Sequence, residues 1–297
     1  MSATIRVPAF AKINLRLQIV AKQADGYHEL RTIFQTISLH DTLELARVRK
    51  PGIFLELSDP DLVAGPENLV WRAIEAAGCE LKFRGGVRAA LTKCIPVAGG
   101  LGGGSSDAAA ALIGMLRLTG KKIPLGRLNE IAAGLGADVP FFLLGGRALG
   151  VNRGDEIYPL AETPKRSIVV ISPREIAVST REAFEWAGAR LTNEQRPRKI
   201  LEFCALCWSP REGQILNDFE DVVFERYPRL GKIKAQLLEE GAAEAALAGS
   251  GSAVFGIFQT PAKARRAARR FLEDQVFVVE TLSEKDCARA RKWRASA

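Results

Sequence analysis

Residues 96–113 read PVAGGLGGGSSDAAAALI, and five of the six residues from 99 to 104 are glycine. Because glycine has no Cβ atom, the backbone can turn through positive φ angles, and its N–H groups can approach a bound anion closely. The next residues favour a helix start, with Ser105 or Ser106 as the N-cap, Asp107 in the first turn and four alanines behind it. The stretch therefore predicts a phosphate-binding loop at the positive end of a helix dipole.

The glycine loop does not follow the two best-known phosphate-binding patterns. No Lys follows the glycines, as the P-loop requires, and the Gly-x-Gly-x-x-Gly spacing of dinucleotide-binding folds cannot be read between Gly99 and Ser106. A tight turn between a strand and a helix would explain some of the glycines, but not all of them together with the two serines. We therefore expect a phosphate loop of another class.

The composition is that of a globular protein. The chain has 297 residues, 47% of them hydrophobic, and a formal net charge of +8 at pH 7. This length allows a large core and favours two domains. The positive charge suits an anionic partner, but its densest runs, 263–270 and 285–294, interleave basic residues with alanine as on a solvent-exposed helix face. We therefore expect no nucleic-acid partner.

Cysteine and histidine usage argues against disulfides and metal centres. The five cysteines are an odd number scattered along the chain, which fits a reducing cytoplasm. Cys204 and Cys207 have the spacing of a redox motif, but they follow an apolar helix pattern and are interpreted as small buried side chains. The chain has only His28 and His40, neither near a second pair of ligands, so zinc is not expected. With no signal-peptide segment and no run of about 18 apolar residues, we expect a cytoplasmic protein without a membrane partner.

Hydrophobic patterns along the chain predict strands and helices in mixed order. Period-two alternation predicts strands at 6–20, 30–39, 85–95 and 144–150 and two more within 42–57, and helices are predicted at 68–77 and 125–133. A polar run around Pro164 is the best candidate for a domain boundary, which gives domains of residues 1–163 and 164–297. Beyond it we expect strands at 167–171 and 254–258 and helices beginning near residues 178, 217 and 230. Because strands and helices do not alternate regularly, the pattern favours an α+β fold.

Two separated segments carry candidate catalytic groups. Lys12 and Asn14 lie in opposite phase to the apolar residues of the first predicted strand, as in a site or equally on a solvent-facing surface. Asp138 is the only acid between Glu130 and Asp155, in a glycine-flanked turn before an apolar run. It can cap a short helix, or it can act as a base if a cation such as Lys12 keeps it ionised. Both interpretations stay open at this point.

Tyr27 and His28 follow an Asp-Gly turn signal at the start of the second predicted strand. An aromatic ring beside an imidazole can stack on a flat ligand ring and hydrogen-bond it. A purely structural Tyr is the more common explanation in proteins generally, so the pair alone does not define a site.

Taken together, four separated motifs resemble those of the GHMP kinases, and the resemblance spans about residues 6–258. The motifs are AKINL with DGYH (11–15 and 25–28), the glycine loop through residue 109, ADVPFF (137–142) and GSGSAVF (249–255). Within the family they are similar to members that phosphorylate the 2-hydroxyl of a cytidine-diphosphate-linked methylerythritol in the non-mevalonate isoprenoid precursor pathway. The resemblance implies a two-domain α+β fold with the active site in the cleft between the domains, ATP and Mg²⁺ as cofactors, and a monomer or weak homodimer. The resemblance does not identify which residues would bind the metal ion.

The resemblance also implies roles for individual residues. Asp138 would be the general base on the acceptor hydroxyl, Lys12 its electrostatic partner, and Asn14 would help to hold the sugar alcohol. Tyr27 and Phe184 would sandwich the cytosine and His28 would hydrogen-bond its edge, with Phe34 and Thr180 beside them. Asn68 would contact the adenosine, and the ATP phosphates would bind to Pro96, Gly99, Gly100, Leu101, Gly102, Gly103, Gly104, Ser105 and Ser106.

Some positions depart from the family pattern, and two other functions stay open. Ala248 stands where a serine is frequent, and Gly100 stands where an alanine is frequent, a change that we expect to leave the loop geometry intact.

The first alternative function is that of another small-molecule GHMP kinase, acting on mevalonate or homoserine. The second is a nucleotide- or RNA-binding module that uses the basic C-terminal surface.

Overall fold

The computed structural model describes residues 4–22, 28–190 and 215–295. The strands in these ranges are β1 (Ile5–Lys22), β2 (His28–Val48), β3 (Gly52–Leu57), β4 (Gly86–Thr92), β5 (Arg147–Val151), β6 (Glu156–Pro159), β7 (Ser167–Ser172), β8 (Leu216–Asn217), β9 (Glu244–Leu247), β10 (Val254–Phe258) and β11 (Gln275–Glu280). The helices are α1 (Leu69–Glu80), α2 (Gly103–Thr119), α3 (Leu125–Leu135), α4 (Val139–Leu144), α5 (Thr180–Arg190), α6 (Glu220–Arg226), α7 (Pro228–Glu239), α8 (Pro261–Ala268) and α9 (Glu284–Arg291).

The first half of the chain builds a seven-stranded sheet around the long strands β1 and β2. The strand order is β3-β4-β2-β1-β8, with β5 paired to β2 and β6 paired to β5. β1 and β2 are antiparallel, and β-bulges interrupt their register just before Lys12 and just after Asn14. Bulges redirect side chains and are frequent beside functional sites.

Helix α2 fills the core of this half and lies against β1 and β2. Its residues from Ser106 to Leu116 are all buried, because small alanines and glycines let the helix approach the sheet closely. At Gly114, a Cβ atom would lie 2.1 Å from the Leu45 side chain on β2, so only glycine fits this contact without a shift. Helix α1 packs on α2 and completes the layer over the sheet. The start of α2 is thereby held at one end of the β1–β2 pair.

The second half of the chain builds a four-stranded antiparallel sheet in the order β11-β7-β10-β9. Helix α7 packs on β9 and β10, and α8 packs on β7. The strand predicted at 254–258 has these bounds in the structure, and the strand predicted at 167–171 extends one residue further. The chain combines helices with two separate sheets, which confirms the α+β prediction. None of the helices in the described ranges has the length and apolar character to cross a membrane.

Two segments of the second half return to the first sheet. β8 pairs in parallel with β1, and helix α9 packs against β1. Arg291 on α9 is buried, and its guanidinium donates hydrogen bonds to the carbonyl oxygens of Phe142 (2.5 Å) and Pro8 (3.4 Å). The basic run 285–294 is therefore not simply a solvated face, because this arginine ties the helix to the elements that carry the site. The boundary between residues 163 and 164 stays a prediction.

Candidate active site

The glycine loop runs directly into helix α2, whose first residue is Gly103. Its N-cap is Gly102 at φ 72°, with no side chain capping the helix. The prediction that Ser105 or Ser106 caps the helix, with Asp107 in the first turn, is therefore wrong. The helix starts earlier because glycine adopts the left-handed conformation at little cost. The free end of the helix is thus available to an anion.

The two serines after the glycines face different surroundings. Ser105 lines the cavity at the loop. The Ser106 side chain is buried and donates a hydrogen bond to the carbonyl oxygen of Phe10 on β1 (2.6 Å). Ser106 therefore joins the helix to the sheet and is not among the residues that line the cavity.

A second glycine loop, residues 248–253, packs on the first. Its N–H groups at Ser252 and Ala253 donate to the carbonyl oxygens of Ala98 and Gly99, each at 3.2 Å. Gly100 has φ 72°, and a Cβ atom there would lie 1.8 Å from the carbonyl oxygen of Ala248. Glycine is therefore required at residue 100 by this contact, because an added Cβ atom would collide with the backbone of the second loop. The expectation that glycine here leaves the anion-binding geometry intact stays a prediction.

Lys12 and Asn14 point into the protein, so their interpretation as surface residues is wrong. Lys12 is only 5% exposed, and its ammonium group donates a hydrogen bond to Asn14 Oδ1 at 2.8 Å. Asn14 in turn donates to the hydroxyl of Thr32 on β2 at 2.7 Å. The backbone N–H of Lys12 donates to the carbonyl oxygen of Leu101 at 3.0 Å, which ties β1 to the glycine loop. These bonds fix the direction of the ammonium group.

Asp138 lies at the N-cap position of α4, but its side chain makes no capping hydrogen bond. Its Oδ2 atom lies 3.6 Å from Lys12 Nζ, and about a third of the side chain (31%) is exposed. The interpretation of this carboxylate as a helix cap is therefore wrong. The pair thus places a carboxylate that can accept a proton beside a positive charge.

One cavity of about 520 Å³ brings most of the candidate residues together. Besides Lys12 and Asp138, it is lined by the predicted residues Asn14, Phe34, Asn68, Pro96, Gly99, Gly100, Leu101, Gly102, Gly103, Gly104, Ser105, Thr180 and Phe184. The Asn68 amide also caps α1, because its Oδ1 accepts from Val70 N (2.9 Å) and its Nδ2 donates to Val63 O (3.0 Å). Residues from both halves of the chain thus surround the glycine loop.

A second cavity of about 1000 Å³ adjoins the first and is lined by His28 and Phe184. The His28 ring stacks on Phe184, with ring centroids 5.1 Å apart and an angle of 20° between the planes. One face of Phe184 is thus taken by His28, which differs from the expected arrangement with His28 at the edge of a bound base. Tyr27 lies outside the described residues, as do Cys204 and Cys207. Thr180 contacts the second glycine loop through Ser250, with the two hydroxyl oxygens 3.0 Å apart.

The sequence patterns missed a buried charge cluster next to the loop. The Lys93 ammonium lies 2.7 Å from Asp107 Oδ2 and is also hydrogen-bonded to Asp41 Oδ2. Asp41 Oδ1 accepts the N–H groups of Cys94 (2.5 Å) and Ile95 (2.8 Å), immediately before the glycine loop. The cluster therefore anchors the start of the loop. Lys93 and Asp107 come together only through the fold, so no local pattern could have identified the cluster.

Burial and charge act against each other in this cluster. Burial raises the pKa of the Asp107 carboxyl to about 8, although Lys93 favours its ionised form. Burial disfavours the Lys93 ammonium, but Asp107 and Asp41 outweigh it and raise the pKa of that group. Lys93 is therefore positively charged at neutral pH.

No group of three or more His, Cys, Asp or Glu side chains in the described part of the chain is arranged to hold a metal ion.

Comparison with known proteins identifies the class. The family model for the GHMP kinases N terminal domain matches residues 68–146, and the model for the GHMP kinases C terminal domain matches residues 192–275. The chain therefore belongs to the GHMP kinases and is an ATP-dependent kinase.

Within this class, the relatives point to one member. The curated 4-diphosphocytidyl-2-C-methyl-D-erythritol kinase of Solibacter usitatus (strain Ellin6076) is 44% identical over 282 residues, which cover 93% of this chain and 88% of the relative. A crystal structure of 4-(cytidine 5'-diphospho)-2C-methyl-D-erythritol kinase has a TM-score of 0.79 and 33% identity, and covers 93% of this chain and 99% of its own. A homoserine kinase from Cytophaga hutchinsonii ATCC 33406 has a TM-score of 0.68 over 95% of this chain and 96% of its own, but only 19% identity. That third likeness shows a shared fold alone.

Proposed function

We propose that this kinase transfers the γ-phosphoryl group of ATP to the 2-hydroxyl of 4-diphosphocytidyl-2-C-methyl-D-erythritol. The observation that carries the proposal is the position of the Lys12–Asp138 pair in the same cavity as the glycine loop. The adjoining cavity contains the stacked rings of His28 and Phe184, which suit a flat base. The likeness to relatives that bear the name of this reaction supports the choice of acceptor.

The ATP phosphates bind at the glycine loop in this proposal. Backbone N–H groups and the dipole of α2 converge there on negative charge, and the residues from Gly99 to Gly104 bring few Cβ atoms to the surface. Ser105 adds a hydroxyl at the same wall of the cavity. Asn68 lies at the start of α1 and lines the same cavity, beside the expected position of the adenosine.

Phosphoryl transfer depends mainly on alignment and on neutralising charge. As the acceptor oxygen forms its bond to the γ-phosphorus, the bond from that phosphorus to the bridging β–γ oxygen breaks and ADP leaves. Asp138 orients the acceptor hydroxyl and receives its proton. The Lys12 ammonium, fixed by Asn14 at 2.8 Å, stabilises the carboxylate and the transferring group. Asn14 also lines the cavity and would help to hold the sugar alcohol there.

The residues at the loop fit a Mg²⁺ ion bound together with ATP. Mg²⁺ takes oxygen ligands, keeps several waters and is often held by one or two carboxylates and the substrate phosphates. Asp107 lines the cavity, and its buried Oδ1 atom has no hydrogen-bond partner in the described part of the chain. Asp107, with loss of its proton on metal binding, and the hydroxyl of Ser105 are therefore the groups that would hold it. When bound, the ion neutralises charge on the phosphates.

The acceptor's cytosine lies in the second cavity in this proposal, against the rings of His28 and Phe184. Tyr27, Phe34 and Thr180 complete this site, as the family resemblance implies. Thr180 and Phe184 are on α5, so the second half of the chain supplies part of the acceptor site. A cytoplasmic location, a monomeric or weakly dimeric state and the absence of a nucleic-acid partner remain predictions from the sequence.

A coupled assay of ADP formation tests the proposal. The protein is supplied with ATP, Mg²⁺ and either 4-diphosphocytidyl-2-C-methyl-D-erythritol, mevalonate or homoserine, without nucleic acid. We expect turnover with the first acceptor only, and competitive inhibition by CDP because cytosine has a site of its own. Turnover with mevalonate or homoserine in its place, or a requirement for RNA, would contradict the proposal and favour one of the two alternatives.

A further inference from the structure

We propose that Arg153 binds the diphosphate of the acceptor substrate and thereby acts as a specificity-determining residue. This inference rests on the proposed function. Arg153 lies in the turn between β5 and β6 and belongs to none of the four motifs of the family resemblance.

Arg153 lies where the two cavities meet. Within residues 4–22, 28–190 and 215–295, four residues line both cavities, and Arg153 is the charged one among them; the others are Leu30, Ala137 and Phe184. The first cavity contains the Lys12–Asp138 pair, where the acceptor hydroxyl reacts. The second contains the rings for the base. An acceptor that reaches from one cavity to the other must therefore pass Arg153.

The acceptor carries its diphosphate between the cytidine and the methylerythritol. If the base and the reacting hydroxyl occupy their two cavities, the diphosphate lies at the junction, beside Arg153. A guanidinium group is planar and offers paired N–H donors, which match two phosphate oxygens at once. The residue type and its place thus fit the charged centre of this substrate.

The turn that carries Arg153 is fixed against strand β2. The N–H of Leu30 donates to the carbonyl oxygen of Asn152 at 2.6 Å, and the N–H of Gly154 closes the turn on Val151 O at 2.9 Å. Gly154 has φ 90°, and a Cβ atom there would lie within 4 Å of Leu30 and Phe34. The turn is therefore held in place beside the residues that line the cavities.

Two lysines and a second arginine also line the cavities. Lys12 pairs with Asn14 and Asp138, and Lys93 is held between Asp41 and Asp107. Arg181 lines the second cavity, but its side chain is 88% exposed and pairs with Glu185 one helical turn away. The matched control is therefore Arg88 on β4, which has the same side chain, pairs at the surface with Glu56 and is not among the residues that line either cavity.

Isothermal titration with CDP and with cytidine isolates the contribution of the diphosphate. We expect the wild type to bind CDP more tightly than cytidine. In Arg153→Gln, the affinity for CDP should fall roughly 10- to 100-fold, as for the loss of hydrogen bonds to a charged group, while cytidine binding stays the same. Arg88→Gln should change neither affinity. In turnover, Arg153→Gln should raise KM for the acceptor and leave KM for ATP unchanged.

Several results would overturn the inference. One is unchanged CDP affinity in Arg153→Gln, and another is an equal loss for CDP and cytidine, which would mean a structural role. If Arg153→Gln fails to fold, Arg153→Lys keeps the charge without the paired donors, and its CDP affinity should still fall about 3- to 10-fold relative to cytidine. Unchanged CDP affinity in that variant also overturns the inference. If the wild type phosphorylates the acceptor but Arg153 proves dispensable, the proposed function stands and only the role of Arg153 is wrong. If the wild type neither binds CDP nor phosphorylates the acceptor, both the proposed function and the role of Arg153 are wrong.

Discussion

Replacing Gly100 by alanine tests the contact between the two glycine loops. In the structure, Gly100 has φ 72°, and the new Cβ atom would lie 1.8 Å from Ala248 O, 2.8 Å from Ala248 C and 3.0 Å from Gly251 N. Carbon and oxygen atoms in contact stay about 3.3 Å apart, so the loops must separate by roughly 1.5 Å. All three colliding atoms belong to backbone, so no side-chain rotation can relieve the clash.

The separation has two measurable consequences. A misplacement of about 1 Å at the reacting groups can cost on the order of 100-fold in rate, so kcat/KM should fall by about that factor or more. An L-residue in the left-handed region costs about 1–2 kcal/mol, which lowers Tm by about 2–8 °C in a domain of this size. The displaced loop adds to this loss of stability.

Gly99→Ala is the matched control, measured by the same coupled assay and by thermal unfolding. Gly99 is not among the glycines with positive φ, and its added Cβ would lie 3.4 Å from Pro96 O and 3.6 Å from Ala253 Cβ, which are ordinary contacts. We expect its Tm to stay close to the wild-type value and its kcat/KM to fall far less than that of Gly100→Ala. If Gly100→Ala proves as active and as stable as Gly99→Ala, the described contact between the loops is wrong.

Three further substitutions test the site. Asp138→Asn should lower kcat by roughly 10²- to 10⁴-fold in steady-state kinetics, with KM for ATP unchanged, because it removes the proton acceptor; near-normal kcat would exclude Asp138 from the chemistry. Phe184→Leu should raise KM for the acceptor about tenfold, because it removes the ring that stacks on His28 beside the cytosine site, again without effect on ATP. An equal change in both KM values would indicate a structural role instead. In the folded protein Asp107 keeps its proton up to a pKa of about 8, far above the ordinary 3.8, so its contribution to stability falls as pH rises between those values. The Tm of Asp107→Asn relative to wild type should therefore increase from pH 5 to pH 8, and a constant difference would show that Asp107 does not titrate in this range.

The sequence predicted those parts of the fold and site whose signals are local. Five glycines before a run of alanines indicated a glycine loop that leads into a helix, and the alternation around Lys12 and Asn14 placed both on one strand. Local signals also gave the wrong N-cap for α2. Serine is a good cap, but a preceding glycine that adopts φ 72° lets the helix begin earlier, and the two signals compete within a few residues.

The remaining features depend on contacts between distant segments, which no local pattern records. Lys93 and Asp41 are 52 positions apart, and Arg291 donates to a carbonyl 149 positions away. The meeting of Lys12 with Asp138 is of the same kind, since only the fold brings β1 to the start of α4. For that pair the family resemblance supplied what the residues alone left open.

The position of the transferred phosphate tests the central claim most directly. In the acceptor, carbon 2 carries the methyl group, so its hydroxyl is tertiary and has no proton on the same carbon. After reaction with ATP and Mg²⁺, ³¹P NMR of the product should show one new phosphomonoester signal without three-bond coupling to a proton. A new signal split by a carbinol proton, or no new phosphomonoester at all, would contradict transfer to the 2-hydroxyl at the Lys12–Asp138 pair.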